Sequence, residues 1–313
     1  MDKLARQHLH NFYQAFGPEC TRRLGPNRKV RIATGCTGSG AEVFSLLAIV
    51  EAFRSICPKL LFEYVFHCEL NQKRMQFVRA LHKHLGARLE KTHLGEPCFF
   101  TDITKLMTSN RQCCVHYDRV YKKKVPRACQ IGPFDWFFCS SSSRDLEPKR
   151  GTSACLKKSR DGRRRTTPGG LSKTFWAITD IIEKHRPDLV FYENVRDIDR
   201  ENKAGDSNLT CLQDEWLARG YKCQIISTDM YTFGLPQQRR HIVIVAMNIR
   251  DPRLFTFGDR DVSRVLKSLQ SLLLLCHRGT ECATKYLLPS EDPRVTTALE
   301  LARAGGELSL IHI

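Results

Sequence analysis

Short apolar runs alternate with amphipathic stretches at helical spacing along most of the chain. Val30-Arg31-Ile32-Ala33 predicts a first strand, broken by the turn Thr34-Gly35-Cys36-Thr37-Gly38-Ser39-Gly40. Val43, Leu46, Leu47, Val50 and Phe53 then recur every three or four positions, the period of a helix with one buried face. Leu61 to Cys68 predicts a second strand that ends at Glu69, and a helix follows to about Leu85 with Asn71 as its N-cap. Cys98 to Thr101 predicts a third strand, ending at Asp102-Ile103. Phe134 to Phe138 is too short for a helix and rich in aromatics, so it reads as a buried fourth strand that empties into Ser140 to Ser143. Leu171 to His185 predicts a helix stopped by Pro187, and Asp188 to Tyr192 a strand running into Glu193-Asn194-Val195. A helix from Thr210 to Arg219, a strand from Tyr221 to Thr228, a turn from Phe233 to Arg240 and a strand from His241 to Met247 complete the order. Such alternation predicts an α/β fold: a doubly wound, mostly parallel sheet of about seven strands.

In an open sheet of that kind, ligands bind just beyond the carboxyl ends of the strands. Three of those ends carry a pattern suited to a nucleotide-like cofactor. Thr34, Gly35, Gly38 and Gly40 form a turn whose backbone can approach a ligand at the start of a helix. Glu69 is placed to accept both ribose hydroxyls of an adenosine moiety. Asp102, with Ile103 beside it, can receive an adenine amino group. A fourth end carries the run of serines.

Charge adds a partner. The 313 residues carry a net charge of +17 with a pI near 9.4, which favours polyanions, nucleic acid before anionic membrane. Arg144 to Arg165 concentrates nine Lys or Arg against three acids, and it leaves the strand end where a substrate would lie. Lys149, Arg150, Lys157, Lys158, Arg163, Arg164 and Arg165 are therefore the expected nucleic-acid contacts, and the last of them also suit a nuclear address. No apolar run approaches the roughly 20 residues needed to span a bilayer, and the first residues lack the apolar core of a signal peptide. An intracellular protein without a membrane partner is expected. The 14 cysteines include no CxxC pair, and Cys113, Cys114, His116 and Cys129 match no standard zinc spacing. Reduced thiols and no metal are expected.

From about residue 29 to 250 the chain resembles the C5-cytosine DNA methyltransferases, which use S-adenosylmethionine. The strand ending in Glu193-Asn194-Val195 and the turn Gly234-Leu235-Pro236-Gln237-Gln238-Arg239-Arg240 carry the resemblance most specifically. The glycine turn, Glu69 and Asp102 stand in the family's order. Asp145-Leu146, soon after the serines, is nearest in look to the de novo branch. The resemblance implies a Rossmann-like methyltransferase sheet, S-adenosylmethionine as cofactor, and methyl transfer to C5 of a cytosine flipped out of DNA. It implies that Glu193 bonds the ring N3, that Arg239 and His241 steady that carboxylate and the base O2, and that Ser143 stands where the family has its nucleophilic cysteine. The family's last Arg of that turn is His241 here. Arg240 points to the other face of the strand.

The serine is the main departure, because a hydroxyl ionises far less readily than a thiol of pKa about 8.5. Cys139 could replace it only by a slip of four residues along the strand. Residues 1–28 read as a lead-in, 29–250 as the catalytic-type domain, and 251–313 as a C-terminal segment. That segment has a Leu-rich helix from Val265 to Cys276 but neither the family's recognition segment nor its closing motifs, as in a fragment or a branch lacking that half. The alternatives are a catalytically impaired relative that binds DNA or cofactor and regulates, and an RNA cytosine methyltransferase. A dehydrogenase of the NAD type is suggested by the glycine turn alone.

Overall fold

The computed structural model describes residues 29–36, 38, 40, 42–43, 61–89, 97–108, 113–115, 129–141, 156, 171–201, 207–232, 240–250, 262–264 and 266–267. Strands β1 (Lys29–Gly35), β2 (Leu61–Cys68), β3 (Cys98–Phe100), β4 (Trp136–Ser140), β5 (Leu189–Val195), β6 (Tyr221–Asp229) and β7 (Arg240–Asn248) form one sheet in the order β3-β2-β1-β4-β5-β7-β6. β1 to β5 pair in parallel, and β7 runs antiparallel to β5. Helices α1 (Gln72–Leu89), α2 (Leu171–His185) and α3 (Asn208–Ala218) connect them. The doubly wound, mostly parallel α/β sheet expected from the alternation is the one observed. The chain divides into two compact units, Met1–Thr228 with Arg240–Leu275, and Asp229–Arg239 with Cys276–Ile313. The described residues of the sites below lie in the first.

Both faces of the sheet are covered, which is why the strands read as near-continuous apolar runs rather than strict alternations. On one face Phe137, Tyr192, Ile244 and Ala246 pack with Phe175, Ile178, Ile181 and Ile182 of α2 and Leu212 and Trp216 of α3. On the other, Val30, Ile32, Phe62 and Tyr64 gather with Val43 and Leu81. Farther along that second face, Val262 and Leu266 cover Ile226 and Val245.

β2 changes face partway. Ile32 of β1 pairs with Tyr64, but Ala33 pairs with Phe66, so Val65 is an extra residue in the ladder. A bulge of one residue inverts every later side chain. Phe62 and Tyr64 therefore serve one core, and Phe66 and Cys68 the other. The bulge also turns His67 toward Tyr64, on which its ring stacks at 4.8 Å.

Two boundaries differ from the expected ones for visible reasons. β4 starts at Trp136, not Phe134, because the Asp135 carboxylate takes the Arg31 N–H at 2.7 Å in place of a backbone carbonyl. It continues to Ser140 because that residue still pairs with Glu193 on β5. α1 begins where expected, with Asn71 Oδ1 accepting from the Arg74 N–H at 3.1 Å, and runs on to Leu89. The expected helices after Ala41 and around Val265 fall largely outside the described residues.

Candidate functional site

The sheet order reverses between β1 and β4, and the crevice at such a switch point is where open α/β sheets take ligands. β1 ends there in the glycine turn. Gly35 has no room for a side chain: a Cβ would sit 2.6 Å from Ile103 Cδ1 and 3.1 Å from the Phe137 ring. Beyond it the backbone enters the left-handed region at Cys36 (φ 57°), Gly38 (φ 62°) and Gly40 (φ 70°). For Cys36 that conformation is strained, and strain of this kind gathers at ligand sites.

The neighbouring strand end holds the turn in shape. Glu69 Oε2 accepts the Gly38 N–H at 2.7 Å and Oε1 accepts the Asn71 N–H at 2.8 Å, so one carboxylate joins the glycine turn to the start of α1. The Glu69 N–H in turn donates to the Phe100 carbonyl on β3. Asp102 Oδ1 accepts from the Thr104 N–H at 2.9 Å and the Thr104 hydroxyl at 2.7 Å, capping the short turn Ile103–Lys105. Its other oxygen lies 3.8 Å from Lys105 Nζ. Thr34, Gly35, Gly38, Gly40, Glu69, Asp102 and Ile103 thus converge on adjacent strand ends. Burial first, then the Glu69 and Asp102 carboxylates, push the Cys36 thiol up to about 12.

Next to this lies a buried polar file that sequence reasoning missed. The Thr34 hydroxyl bonds His67 Nδ1 at 2.7 Å, and His67 Nε2 meets His82 Nε2 at 2.7 Å. Burial lowers both imidazoles, His67 strongly and His82 to about 4, which leaves both neutral at pH 7. The same burial raises Glu42, 3.9 Å from His67 Nδ1, to about 7. The signal was present in part: His67 lies one residue before the end of β2 and His82 lies on the α1 face that carries Val78.

The other half of the crevice is made by β4, β5 and β7. Glu193 and His241 lie on one face, where their side chains form an ion-pair contact between Glu193 Oε1 and His241 Nδ1. The His241 side chain is 5% exposed and that of Glu193 46%, so the imidazole supports the carboxylate from below while the carboxylate reaches solvent. Ser140 of β4 pairs with Glu193 of β5 and donates its hydroxyl to the Cys36 carbonyl at 3.2 Å, tying the serine run to the glycine turn.

The opposite face carries a second network. Ser141 bonds the Tyr192 hydroxyl, and the Asn194 amide donates to Ser141 Oγ at 3.0 Å, Tyr192 OH at 3.0 Å and the Ser141 carbonyl at 3.3 Å. Asn194 Oδ1 accepts from the Val195 N–H at 2.8 Å. All three side chains are buried, and burial raises the Tyr192 phenol against the pull of its two partners. Strand alternation could have found this group, since residues 139 and 141 pair in phase with 192 and 194. Cys139 sits on this same face, away from Glu193. Burial holds its thiol well above the usual range, with Cys36 adding to the shift.

Several expected site residues lie outside the described residues: Ser143, Arg239, and the basic positions Lys149, Arg150, Lys157, Lys158, Arg163, Arg164 and Arg165. Of Gly234 to Arg240 only Arg240 is described. It is exposed at the start of β7 while His241 is buried.

A doubly wound, mostly parallel sheet with a glycine turn and two acids on successive strand ends defines an α/β protein of Rossmann-like fold. Within that class the chain resembles one family: the model of the C-5 cytosine-specific DNA methylases matches residues 152–273. The match takes in Glu193, Asn194 and His241, whereas the glycine turn, Glu69 and Asp102 precede it. No curated protein sequence matches the chain. Among solved structures it is similar to DNMT2 of Spodoptera frugiperda, at 15% identity over 74% of this chain and 53% of that one, with a TM-score of 0.36. It is similar also to Dnmt2 of S. pombe, at 13% identity over 85% and 61% with a TM-score of 0.44. For the methyltransferase EhMeth of Entamoeba histolytica the identity is 10% over 71% and 53%, with a TM-score of 0.37. The chain thus spans about half to three fifths of each of these structures. No helix among the described residues is long and apolar enough to cross a membrane.

Proposed function

We propose that the chain is a DNA cytosine-5 methyltransferase, which binds S-adenosylmethionine and transfers its methyl group to C5 of a cytosine flipped out of DNA. The observation that carries this reading is the Glu193–His241 pair: a half-exposed carboxylate at the carboxyl end of β5, backed by a buried imidazole. In this reading Glu193 meets the ring N3 of the base, and His241 fixes the carboxylate and donates to it. A positioned acid of this kind stabilises charge that develops on the ring when C6 is attacked. Arg239, two positions before His241, is assigned to the same support.

Thr34, Gly35, Gly38, Gly40, Glu69, Asp102 and Ile103 would hold the cofactor. They fit it: the turn takes positive φ at Cys36, Gly38 and Gly40, and each Glu69 oxygen keeps a lone pair beyond its backbone bond for a ribose hydroxyl. Bound there, S-adenosylmethionine supplies an electrophilic methyl group. The basic positions from Lys149 to Arg165 would grip phosphates and supply part of the net charge of +17. A nuclear location in a eukaryote belongs to this reading.

Ser143 favours a second reading, in which the chain binds the cofactor and DNA without turnover and regulates an active partner. Cys139, buried beside Tyr192, offers no substitute nucleophile. Methyl transfer from labelled S-adenosylmethionine to cytosine-containing duplex decides between the two. Transfer by the wild type that disappears in Glu193→Ala supports the enzyme. No transfer by the wild type, with transfer appearing in Ser143→Cys, supports the binding protein. If neither variant nor wild type binds the cofactor or DNA in titrations, both readings fail. Structured RNA in place of the duplex, compared across a salt series, tests the nucleic-acid class.

A further inference from the structure

We propose that Cys98, Cys113 and Cys129 form a binding site for a thiophilic metal ion, zinc above all, at the edge of the sheet. Their three sulfurs all lie within 4.8 Å of one another. Three sulfurs on the vertices of a zinc tetrahedron, each about 2.3 Å from the ion, are separated by about 3.8 Å. The cluster is therefore within about 1 Å of a coordinating arrangement, a distance that small χ1 rotations cover.

The three residues come from separate stretches of chain. Cys98 opens β3, Cys113 sits in an isolated antiparallel bridge to Phe100, and Cys129 precedes the approach to β4. The Cys114 N–H donates to the Phe99 carbonyl at 2.8 Å and sets Cys113 against the strand. Cys113 is buried, while Cys98 and Cys129 are half-buried, which leaves an ion a path in. Three sulfurs packed together bring weak donors into one place. An ion that displaces the protons turns that crowding into three bonds. Sequence spacing gave no zinc pattern because one ligand, Cys98, lies on a strand ahead of the Cys-bearing insertion and is brought to Cys113 and Cys129 only by the fold.

The site is separate from the crevice and holds whether or not methyl transfer does. Its consequence reaches the crevice all the same. An ion there fastens residues 113–115 and 129 to β3, whose end carries Asp102 and Ile103.

The test uses the full chain, purified reduced and without chelator, with metal content read by mass spectrometry and the site probed by Co(II). The expected result is about one zinc per chain, removed by chelator with a fall in melting temperature, and a sulfur-to-cobalt charge-transfer band on substitution. Cys98→Ser and Cys129→Ser should each weaken Co(II) binding at least about tenfold, and Cys223→Ser on β6 should leave it unchanged. If the variants fail to fold, zinc should still protect Cys98, Cys113 and Cys129 of the wild type from alkylation, mapped by peptide. A reduced wild type that takes up neither zinc nor Co(II) overturns the proposal. So does a charge-transfer band that survives both substitutions, or a Cys98–Cys113 disulfide on air oxidation in a chain whose reduced form binds no metal.

Discussion

Replacing Asn194 by Ala tests whether the network beneath the serine run holds the ends of β4 and β5 together. The wild-type amide reaches Ser141 Oγ and Tyr192 OH at 3.0 Å each and the Ser141 carbonyl at 3.3 Å, and its oxygen takes the Val195 N–H at 2.8 Å. An NH2 group has two protons, so these three acceptors share roughly two bonds. With the Val195 bond, about three net bonds are lost, each worth roughly 1 kcal/mol. Ser141 and Tyr192 keep their bond to each other, which limits the damage on that side. The Ser141 carbonyl and the Val195 N–H lose a partner close to a buried side chain. A loss of about 2–3 kcal/mol follows, and at roughly 2 °C per kcal/mol for a chain of this size the melting temperature should fall by about 5 °C. Urea denaturation gives the free energy directly. Tyr192→Phe alone should cost about 1–2 kcal/mol, and the double variant should cost less than the sum by at least about 0.5 kcal/mol, since the two act through Ser141. An Asn194→Ala protein within about 0.5 kcal/mol of wild type, or strict additivity with Tyr192→Phe, would refute the network.

Gly35→Ala places a Cβ 2.6 Å from Ile103 Cδ1 and should cost about 1–3 kcal/mol in urea denaturation, with weaker cofactor binding in titration calorimetry. His82 is lowered to about 4, so the unfolded chain binds protons that the folded one does not; stability should fall as pH drops from 6.5 toward 4, by about 3 kcal/mol from His82 alone, and His82→Gln should flatten that slope. Glu42 runs the other way: raised to about 7, it keeps its proton longer when folded, so stability falls as pH rises from 4.5 through 7. Glu42→Gln should be more stable than wild type at pH 8 by up to about 3 kcal/mol and nearly equal to it at pH 4.5, by denaturant midpoints at the two pH values. Cys139→Ser should lower stability by about 1–3 kcal/mol through a buried hydroxyl and leave DNA and cofactor binding unchanged; loss of binding with stability intact would place Cys139 in the site.

The class of fold was legible because its signal is local. Seven apolar runs and the helical periods between them survive without knowledge of which strand pairs with which, and Leu171–His185 is the helix that the pattern and Pro187 mark out. Strand ends were legible to within three residues, so Glu69, Asp102 and Glu193 were placed at or beside strand ends from sequence alone. What escaped depends on pairing. Nothing local announces that Val65 is an extra residue, yet that bulge decides which face His67 takes and so creates the file Thr34–His67–His82. The start of β4 was set too early because Asp135 looks like the inside of an apolar run, while its carboxylate is spent on the Arg31 N–H. Cys98 could not be grouped with Cys113 and Cys129 by spacing, since β3 and a bridge at Phe100 bring them together.

The phase of β4 narrows the chemical question to one position. Side chains on a strand alternate, so Phe138 and Ser140 share a face with Phe191 and Glu193, and Cys139 and Ser141 share the other with Tyr192 and Asn194. Moving Cys139 to the Glu193 face would need a slip of one residue, which would also bury Ser140 in place of Cys139 and break the Phe138–Phe191 stack at 4.6 Å. It would pull Ser141 from Asn194 and Tyr192 as well. The register is thus held on both faces, by aromatic stacking on one and hydrogen bonds on the other. No thiol on β4 can turn to the base that Glu193 is proposed to hold. In the proposed reading a covalent step begins beyond Ser141, where Ser143 would offer an oxygen in the place where the family has sulfur. Turnover in that reading depends on this atom: at neutral pH a serine oxygen needs a base to take its proton, while a cysteine sulfur gives its proton up with far less help.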